Sequence, residues 1–208
     1  MVAGHDHGER DSSAAQLQPV WQVRRWSHFP LPRHPSMKIL LEPHPDDAVL
    51  FATYTLLEHS PLVIVCYPGA PRHGSPETRL AETGAAMRLL GCDWLPPPAG
   101  DLEATLALYD PERVWAPLPE PGGNSDHNTV GKIAVSLWPG RVTWYTTYTD
   151  DGRTIGEPVE KRDGWEALKM RALACYRSQL EHSATRPHFE RGLDEYVVHP
   201  TVEQREAA

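Results

Sequence analysis

The stretch KILLEPHPDDAVLFA, residues 38–52, places an imidazole and two adjacent carboxylates where a short apolar run ends. Its first four residues are typical of a buried parallel strand and its apolar end is typical of a helix, so the polar residues lie in the turn between them. In open α/β sheets, ligands bind at such turns. His44 and Asp47 are three residues apart and can bind one cation, whereas Asp46 points elsewhere and is free to act as a base.

The same turn also has a purely structural interpretation. Pro43 and Pro45 stiffen a loop, Asp46 or Asp47 caps the following helix, and His44 lies on the surface. The first stretch taken alone does not decide between this interpretation and a metal site.

A second polar cluster, GGNSDHNTVG at residues 122–131, favours the metal site. It follows a short apolar segment, residues 113–118, and opens a predicted helix. Two such clusters at equivalent strand ends can meet across the top of one sheet, and His127 then supplies a third ligand. Three protein ligands plus water form the pattern of catalytic zinc, whereas structural zinc sites have four ligands and are rich in Cys.

Four segments of the chain together resemble one known family. Residues 41–51 are similar to its signature, usually Ala-His-Pro-Asp-Asp-Glu, and residues 125–127 to its second motif, usually His-Pro-Asp-His. Residues 79–91 resemble an Arg-x-x-Glu helix that ends in Leu-Gly, and residues 169–179 a late helix that ends in Ser-Gln. The family is that of the PIG-L/LmbE-like zinc-dependent N-deacetylases, and the resemblance extends over about residues 37–198.

The resemblance implies a Rossmann-like fold with the metal site at the carboxyl ends of the strands, and a hydrolase that removes an N-acyl group, usually acetyl, from an amino sugar or its conjugate. It implies zinc held by His44, Asp47 and His127, with Asp46 as the base. Arg79 corresponds to an arginine that helps to hold the sugar. Two imidazoles and a carboxylate suit Zn²⁺ and also accept Fe²⁺ or Co²⁺.

Asn124 is the main departure from the family pattern. It stands where the family has the first His of its second motif, a residue thought to steady the oxyanion and to protonate the leaving amine. Asn can donate a hydrogen bond to an oxyanion but cannot give up a proton. An active enzyme would therefore use Asp46 first as base and then as acid. The alternative is a noncatalytic descendant that binds a metal and a glycoconjugate.

Two further residues have alternative roles. Asp126 precedes His127 and either fixes the tautomer of that imidazole or caps the helix. Arg79 either contacts the substrate or is an exposed helix residue paired with Glu82.

The coarse pattern of the chain is that of an α/β domain with a mainly parallel sheet flanked by helices. The helix at 76–90 has the clearest boundaries, with Ser75 as N-cap, Pro76 at its first position and Gly91 after its end. The segment 196–198 either adds a short strand or closes over the site. Strands are predicted at 38–43, 62–67, 113–117 and 141–148, and helices at 48–58, 76–90, 101–109, 128–138 and 164–180.

Residues 1–36 differ from the rest of the chain, because they are polar, rich in His, Arg and Ser, and without a clear strand or helix period. We expect a disordered N-terminal extension, followed by one α/β deacetylase-like domain at 37–208. Met37 stands directly before the first predicted strand and is a natural start for the domain.

Charge and cysteine content restrict the partners and the location. The formal net charge of −8 argues against nonspecific binding to nucleic-acid phosphates. Three cysteines without Cys-x-x-Cys spacing indicate reduced thiols in a cytoplasmic protein, and no apolar stretch has the length of a signal peptide or membrane span. The expected partner is a small-molecule N-acyl amino sugar. Members of the resembling family often assemble into trimers or hexamers, so a homo-oligomer is an alternative to a monomer for this chain.

Overall fold

One sheet runs through the residues that the computed structural model describes, which are 36–71, 74–148 and 153–200. Its strands are β1 (Lys38–Glu42), β2 (Leu62–Val65), β3 (Trp94–Leu95), β4 (Arg113–Pro117), β5 (Val142–Tyr145), β6 (Glu157–Pro158) and β7 (Tyr196–Val198). They lie in the order β3-β2-β1-β4-β5-β7-β6. The pairs from β3 to β5 are parallel, and β7 pairs antiparallel with β5 and with β6. The predicted α/β fold with a mainly parallel sheet is confirmed.

Helices cover both faces of this sheet. Their bounds are α1 (Asp47–Phe51), α2 (Thr53–His59), α3 (Pro76–Leu90), α4 (Leu102–Leu106), α5 (Ser125–Leu137), α6 (Trp165–Leu173), α7 (Arg177–Glu181) and α8 (Arg186–Arg191). Because successive strand residues point to opposite faces, Leu40 belongs to the core beneath α1, α3 and α6. Its neighbours Ile39 and Leu41 belong to the core beneath α5.

The strand order reverses at β1. From β1 the chain first builds β2 and β3 on one side, and it then returns to place β4 on the other side. Ligands bind at such a reversal, at the carboxyl ends of the two strands. The loop after β1 carries His44, and the connection after β4 leads into α5 and His127. The topology therefore brings the two polar clusters together.

The predicted boundaries of α3 are confirmed. The hydroxyl of Ser75 accepts from the N–H of Thr78 at 3.2 Å, and Pro76 is the first helical residue. Gly91 ends the helix in the left-handed conformation, with φ of 72°. Residues 196–198 form β7, which decides between the two alternatives for that segment.

Two predicted helices are each broken in the structure. The helix predicted at 48–58 divides at Ala52, whose φ and ψ are −146° and 21°. The helix predicted at 164–180 divides into α6 and α7 at residues 174–176. Neither break has a Pro or Gly at it, so local sequence gives no signal. The short elements β3, β6 and α8 were not predicted either, because two to six residues show no clear period.

Some predictions lie outside the described residues. The disordered extension at 1–36 falls there, apart from Ser36, and the division of the chain at residue 37 stays a prediction. Among the described residues, no helix is long and apolar enough to cross a membrane.

Candidate metal centre

Three donor atoms form a small triangle above the ends of β1 and β4. His44 Nδ1 lies 3.2 Å from Asp47 Oδ2, and His127 Nε2 lies 3.1 Å from the same oxygen. The two ring nitrogens are 3.3 Å apart. Ligands about 2.0–2.1 Å from a tetrahedral Zn²⁺ lie about 3.3–3.4 Å from one another. The donor types and their spacing both fit a divalent cation with one position left for water, so the residues predicted as ligands meet at one candidate metal site.

The starts of two helices, α1 and α5, place these donors. Asp47 is the first residue of α1, and its carboxylate also accepts from the backbone N–H of His44 at 2.8 Å. His127 lies in the first turn of α5. Asn128 fixes the connection before that helix, because its amide exchanges two hydrogen bonds of 2.7 Å with the backbone of Glu120.

Each imidazole has a partner on its other ring nitrogen. The carboxylate of Asp126 lies 2.8 Å from His44 Nε2, and the hydroxyl of Thr147 lies 3.2 Å from His127 Nδ1. An acceptor beside one ring nitrogen accepts a hydrogen bond from the N–H there, which keeps the proton on that nitrogen and leaves the lone pair of the other nitrogen for a metal. The sequence predicts the neighbouring His127 as the partner of Asp126, whereas the structure places this carboxylate on His44. Thr147 was not predicted.

Asn124, and not Asp126, is the N-cap of α5. Its side-chain oxygen accepts from the N–H of Asp126 at 2.8 Å and from that of His127 at 3.4 Å. Asn124 is exposed and borders the cavity above the metal ligands. Its oxygen is thus engaged in the helix start, and the predicted contact of its amide with an oxyanion stays a prediction.

Asp46 lies beside the triangle and not in it. Its φ of 142° is unusual for a residue other than Gly. Asp46 occupies the N-cap position of α1, but neither Asp46 nor Asp47 caps this helix through a side-chain hydrogen bond. The capping role of these carboxylates in the purely structural interpretation is therefore wrong. Arg79 Nη2 donates to Asp46 Oδ2 at 2.7 Å and to the carbonyl of Pro45 at 2.8 Å. Arg79 thereby holds the predicted base in place.

The alternative in which Arg79 is exposed and paired with Glu82 is wrong. Arg79 is buried, and Glu82 instead accepts from the backbone N–H and the hydroxyl of Ser178. The Arg-x-x-Glu and Ser-Gln segments thus contact each other. Gly69 has a φ of 80°, and a Cβ there would lie 1.9 Å from Arg79 Nη1, so only Gly fits beside the guanidinium.

Burial and neighbouring charges shift the pKa values of the centre. Burial raises the pKa of Asp46 to about 7, although the charge of Arg79 opposes this shift. Burial also disfavours the ionised form of Asp47, but the imidazoles of His127 and His44 hold its pKa well below the usual range. Burial alone would lower the pKa of His44, whereas hydrogen bonding and charge from Asp47 and then Asp126 raise it to about 9. A base whose pKa is near neutrality suits proton transfer at neutral pH.

The centre opens into a cavity of about 580 Å³. One part of its wall is polar, with the metal ligands, Asp46, Asp126 and Asn124. The predicted Arg79 also lines this cavity, as does Gln179 of the Ser-Gln segment, but the sequence did not identify most residues of the remaining wall. This wall consists of aromatic, aliphatic and small polar residues, among them Leu50, Tyr67, Tyr148, Gln179, Thr185 and Phe189.

Comparison with known proteins gives matches in structure only. No protein-family model matches the chain, and no curated protein matches it in sequence. The conserved protein TT1542 of Thermus thermophilus is 21% identical with a TM-score of 0.61, over 79% of this chain and 94% of that one. A deacetylase of the teicoplanin biosynthetic pathway, solved as a triple mutant, is 19% identical with a TM-score of 0.59, over 75% and 89%.

Two further matches show the range of activities that this fold carries. The N,N'-diacetylchitobiose deacetylase of Pyrococcus horikoshii is 19% identical with a TM-score of 0.55, over 75% of this chain and 74% of that one. The 4-carboxy-2-hydroxymuconate hydratase GalB of Pseudomonas putida is 15% identical with a TM-score of 0.52, over 75% and 83%. The predicted resemblance is confirmed in the fold: the chain folds like the deacetylases of the LmbE/PIG-L type.

Proposed function

We propose that this protein is a metal-dependent hydrolase that removes an N-acyl group, acetyl in the simplest case, from an amino sugar or an amino-sugar conjugate. The observation that carries the proposal is the triangle of His44 Nδ1, Asp47 Oδ2 and His127 Nε2, with the Asp46 carboxylate beside it in one cavity. The deacetylases among the structural neighbours support it, including one named for an N-acetylated disaccharide.

This geometry supports the following roles for the residues of the site. His44, Asp47 and His127 would hold a divalent cation, which would lower the pKa of a water molecule and polarise the amide carbonyl. Asp46 takes a proton from this water while the water oxygen attacks the acyl carbon. When the C–N bond breaks, Asp46 returns that proton to the leaving nitrogen, so that water and amide become acid and amine. Arg79 orients the Asp46 side chain for these proton transfers, because its Nη2 lies 2.7 Å from Asp46 Oδ2.

Zn²⁺ is the proposed metal, because two imidazoles and one carboxylate suit it, and Fe²⁺ or Co²⁺ suits the same set. Asn124 is proposed to donate to the oxyanion, and Arg79 to contact the sugar as well as Asp46. We further propose a cytoplasmic protein without nonspecific affinity for nucleic acid, active as a monomer or homo-oligomer.

The test is acetate release from a panel of N-acetylglucosamine derivatives and nucleotide sugars, with each of the three metals. We expect Asp46→Asn to retain Zn²⁺ binding and to lose about 10²–10⁴-fold in rate. Asp110→Asn is the matched control, because Asp110 also pairs with an arginine, Arg141, at 2.6 Å, but on the exposed surface. It should release acetate at the rate of the wild type.

The noncatalytic alternative gives a different result. A descendant that only binds metal and glycoconjugate would be folded and metal-loaded yet release no acetate from any substrate, and its ligand affinity would tolerate Asp46→Asn. Equal acetate release by wild type and Asp46→Asn would refute the role of Asp46.

A further inference from the structure

Helix α1 carries the metal ligand Asp47 but is only five residues long and entirely buried. The first four N–H groups and last four carbonyl groups of any helix lack partners within it, so a helix of this length makes few internal hydrogen bonds. Its own sequence cannot fix its position. Residues 48–51 pack in the core, and contacts at the two ends of the helix add to this packing in deciding where the Asp47 carboxylate lies.

Glu42 holds the amino end. Its side chain is fully buried, and Oε1 accepts from the backbone N–H groups of Asp46 and Ala48, both at 3.0 Å. These two groups flank Asp47. The backbone of Glu42 is itself tied into the sheet, because its carbonyl accepts from the N–H of Cys66 at 2.7 Å. Glu42 thereby links the metal-binding turn, with its unusual backbone at Asp46, to strand β1.

Lys169 holds the carboxyl end. It is 1% exposed, and its ammonium donates to the carbonyls of Leu50 and Leu193 at 2.8 and 2.7 Å and to Glu195 Oε1 at 2.7 Å. All three of its protons are thus used. The other oxygen of Glu195 accepts from the N–H of Tyr54, in the first turn of α2, at 2.8 Å. The pair of Lys169 and Glu195 fixes the break between α1 and α2.

The charge of Lys169 suits its place, because an ammonium is favourable at the negative carboxyl end of a helix. Glu42 acts at the amino end as a hydrogen-bond acceptor, a role that does not require its negative charge, since burial raises the pKa of this carboxyl group to about 8. A buried ion pair is in itself weak evidence for stability, because apolar residues of similar size often replace it without loss. A role in holding α1 would explain why Lys169 and Glu195 form a buried ion pair at this place.

We propose that Glu42 and Lys169 are positioning residues that clamp the two ends of α1 and so place Asp47 for metal binding. This inference rests on the metal site of the proposed function. It concerns residues that contact neither the metal nor the substrate and that act through the backbone of α1.

The test is the Zn²⁺ affinity of folded variants, measured by competition with a chromophoric chelator. We expect Lys169→Met and Glu42→Leu to bind Zn²⁺ about 10–100-fold more weakly, as is typical when a partner of a metal ligand is lost. The absorption spectrum of bound Co²⁺, which reports the geometry around the metal, should change as well. Glu42→Gln should bind Zn²⁺ almost as tightly as the wild type, because its amide oxygen can accept from the backbone N–H groups of Asp46 and Ala48.

Glu42→Gln breaks no other hydrogen bond, since Glu42 Oε2 has no partner within the described part of the chain. The control for Lys169 is Lys161→Met, because Lys161 pairs with Asp194 at 2.7 Å on the exposed surface near the same segment. That variant should bind Zn²⁺ like the wild type.

The outcomes separate the two proposals. A wild-type protein that binds no Zn²⁺ refutes the metal site itself. A wild type that binds, together with folded Lys169→Met and Glu42→Leu variants of equal affinity, overturns the clamp. Should circular dichroism show that Lys169→Met is unfolded, the double variant Lys169→Met/Glu195→Leu replaces the buried pair with apolar residues. Unchanged Zn²⁺ affinity in that folded double variant also overturns the clamp.

Discussion

Asp126 and Thr147 each face the ring nitrogen that an imidazole turns away from the metal site. An acceptor in that position fixes both the tautomer and the orientation of the ring. Asp126 is partly exposed, so its contribution comes from the direction of one hydrogen bond and not from burial. The geometry of the candidate ligands therefore depends on residues outside the ligand set.

Replacing Asp126 by Ala tests this dependence. We expect Zn²⁺ affinity to fall about 10–100-fold, because His44 is then free to rotate and to take the wrong tautomer. Asp126→Asn should lose less, since its amide oxygen still accepts from His44 Nε2. Chelator competition measures both variants, with Asp110→Ala as a control on the exposed surface. Equal affinity in Asp126→Ala and wild type would contradict the assigned role.

Asn124→His introduces the histidine with which the second motif of the PIG-L/LmbE-like family usually begins. We expect faster acetate release or a shifted pH optimum, because an imidazole can supply the proton that an amide cannot. The same change removes the N-cap of α5, where Asn124 accepts from the N–H of Asp126 at 2.8 Å, so the free energy of unfolding should fall by about 1 kcal/mol. Unchanged rates and an unchanged pH profile would show that the missing histidine is not limiting.

At the scale of elements, α5 packs unusually close to the end of β4. A Cβ at Gly131 would lie 2.5 Å from the carbonyl oxygen of Pro117 and 2.7 Å from Pro119. Because Gly131 follows His127 by one helical turn, this close approach sets how far His127 reaches over the sheet. The absence of a side chain at one position thus helps to place a metal ligand.

Gly131→Ala should therefore destabilise the protein and weaken the metal site together. We expect a loss of about 1–3 kcal/mol in the free energy of unfolding, as for other insertions into a packed region, and a lower Zn²⁺ affinity. Urea denaturation and chelator competition measure the two effects. Gly100→Ala is the control, because a Cβ there meets no atom within 4 Å; similar losses in both variants would exclude a specific packing effect at Gly131.

The last residue of α2 gives the fold a pH dependence outside the metal site. The ring of His59 stacks on Trp115 at 4.7 Å, and burial, followed by the charges of Lys38 and Arg113, lowers the pKa of His59. A lowered pKa means that the unfolded chain binds this proton more readily than the folded one. The contribution of His59 to the free energy of unfolding is thus present at high pH and is lost as the pH falls through the ordinary histidine range.

We expect the His59→Gln variant to lose less stability than the wild type when the pH falls from about 8 to 5. Urea denaturation at several pH values gives the comparison, and the difference between the two proteins isolates His59 from other titrating groups. The same decrease in both proteins would mean that His59 contributes nothing to this pH dependence.

At the scale of the whole molecule, the candidate metal site predicts a link between metal binding and folding. The ligands come from residues 83 positions apart along the chain, so the unfolded chain does not present them together. A ligand that binds only the folded state stabilises it, by about 2.7 kcal/mol at a free concentration of 100 times Kd. We expect Zn²⁺ to raise the thermal midpoint and EDTA to lower it.

His44→Ala is the matched variant for this experiment. Its thermal midpoint should not respond to Zn²⁺ at concentrations that shift the wild type, because one of the three ligands is gone. Differential scanning calorimetry measures both proteins with and without metal. An equal response in His44→Ala would place the bound metal elsewhere on the protein.

Local patterns in the amino-acid sequence were enough to predict the mainly parallel sheet, the caps of α3 and the ligand set of the candidate metal site. Strand and helix periods, cap chemistry and the residues after a strand end all extend over a few neighbouring positions, which is why they can be recognised without a structure. The meeting of His44, Asp47 and His127 also followed, since parallel strands bring their carboxyl ends to one edge.

The support of that site, in contrast, depends on contacts that appear only when the chain is folded. The contact of Asp126 with His44 spans 82 residues, that of Arg79 with Asp46 spans 33, and that of Lys169 with Leu50 spans 119. The break at Ala52 belongs with them, because it is held by Lys169 and Glu195 and has no Gly or Pro of its own. Hydrogen bonds between distant segments depend on how the helices pack against the sheet, and local sequence does not encode that packing.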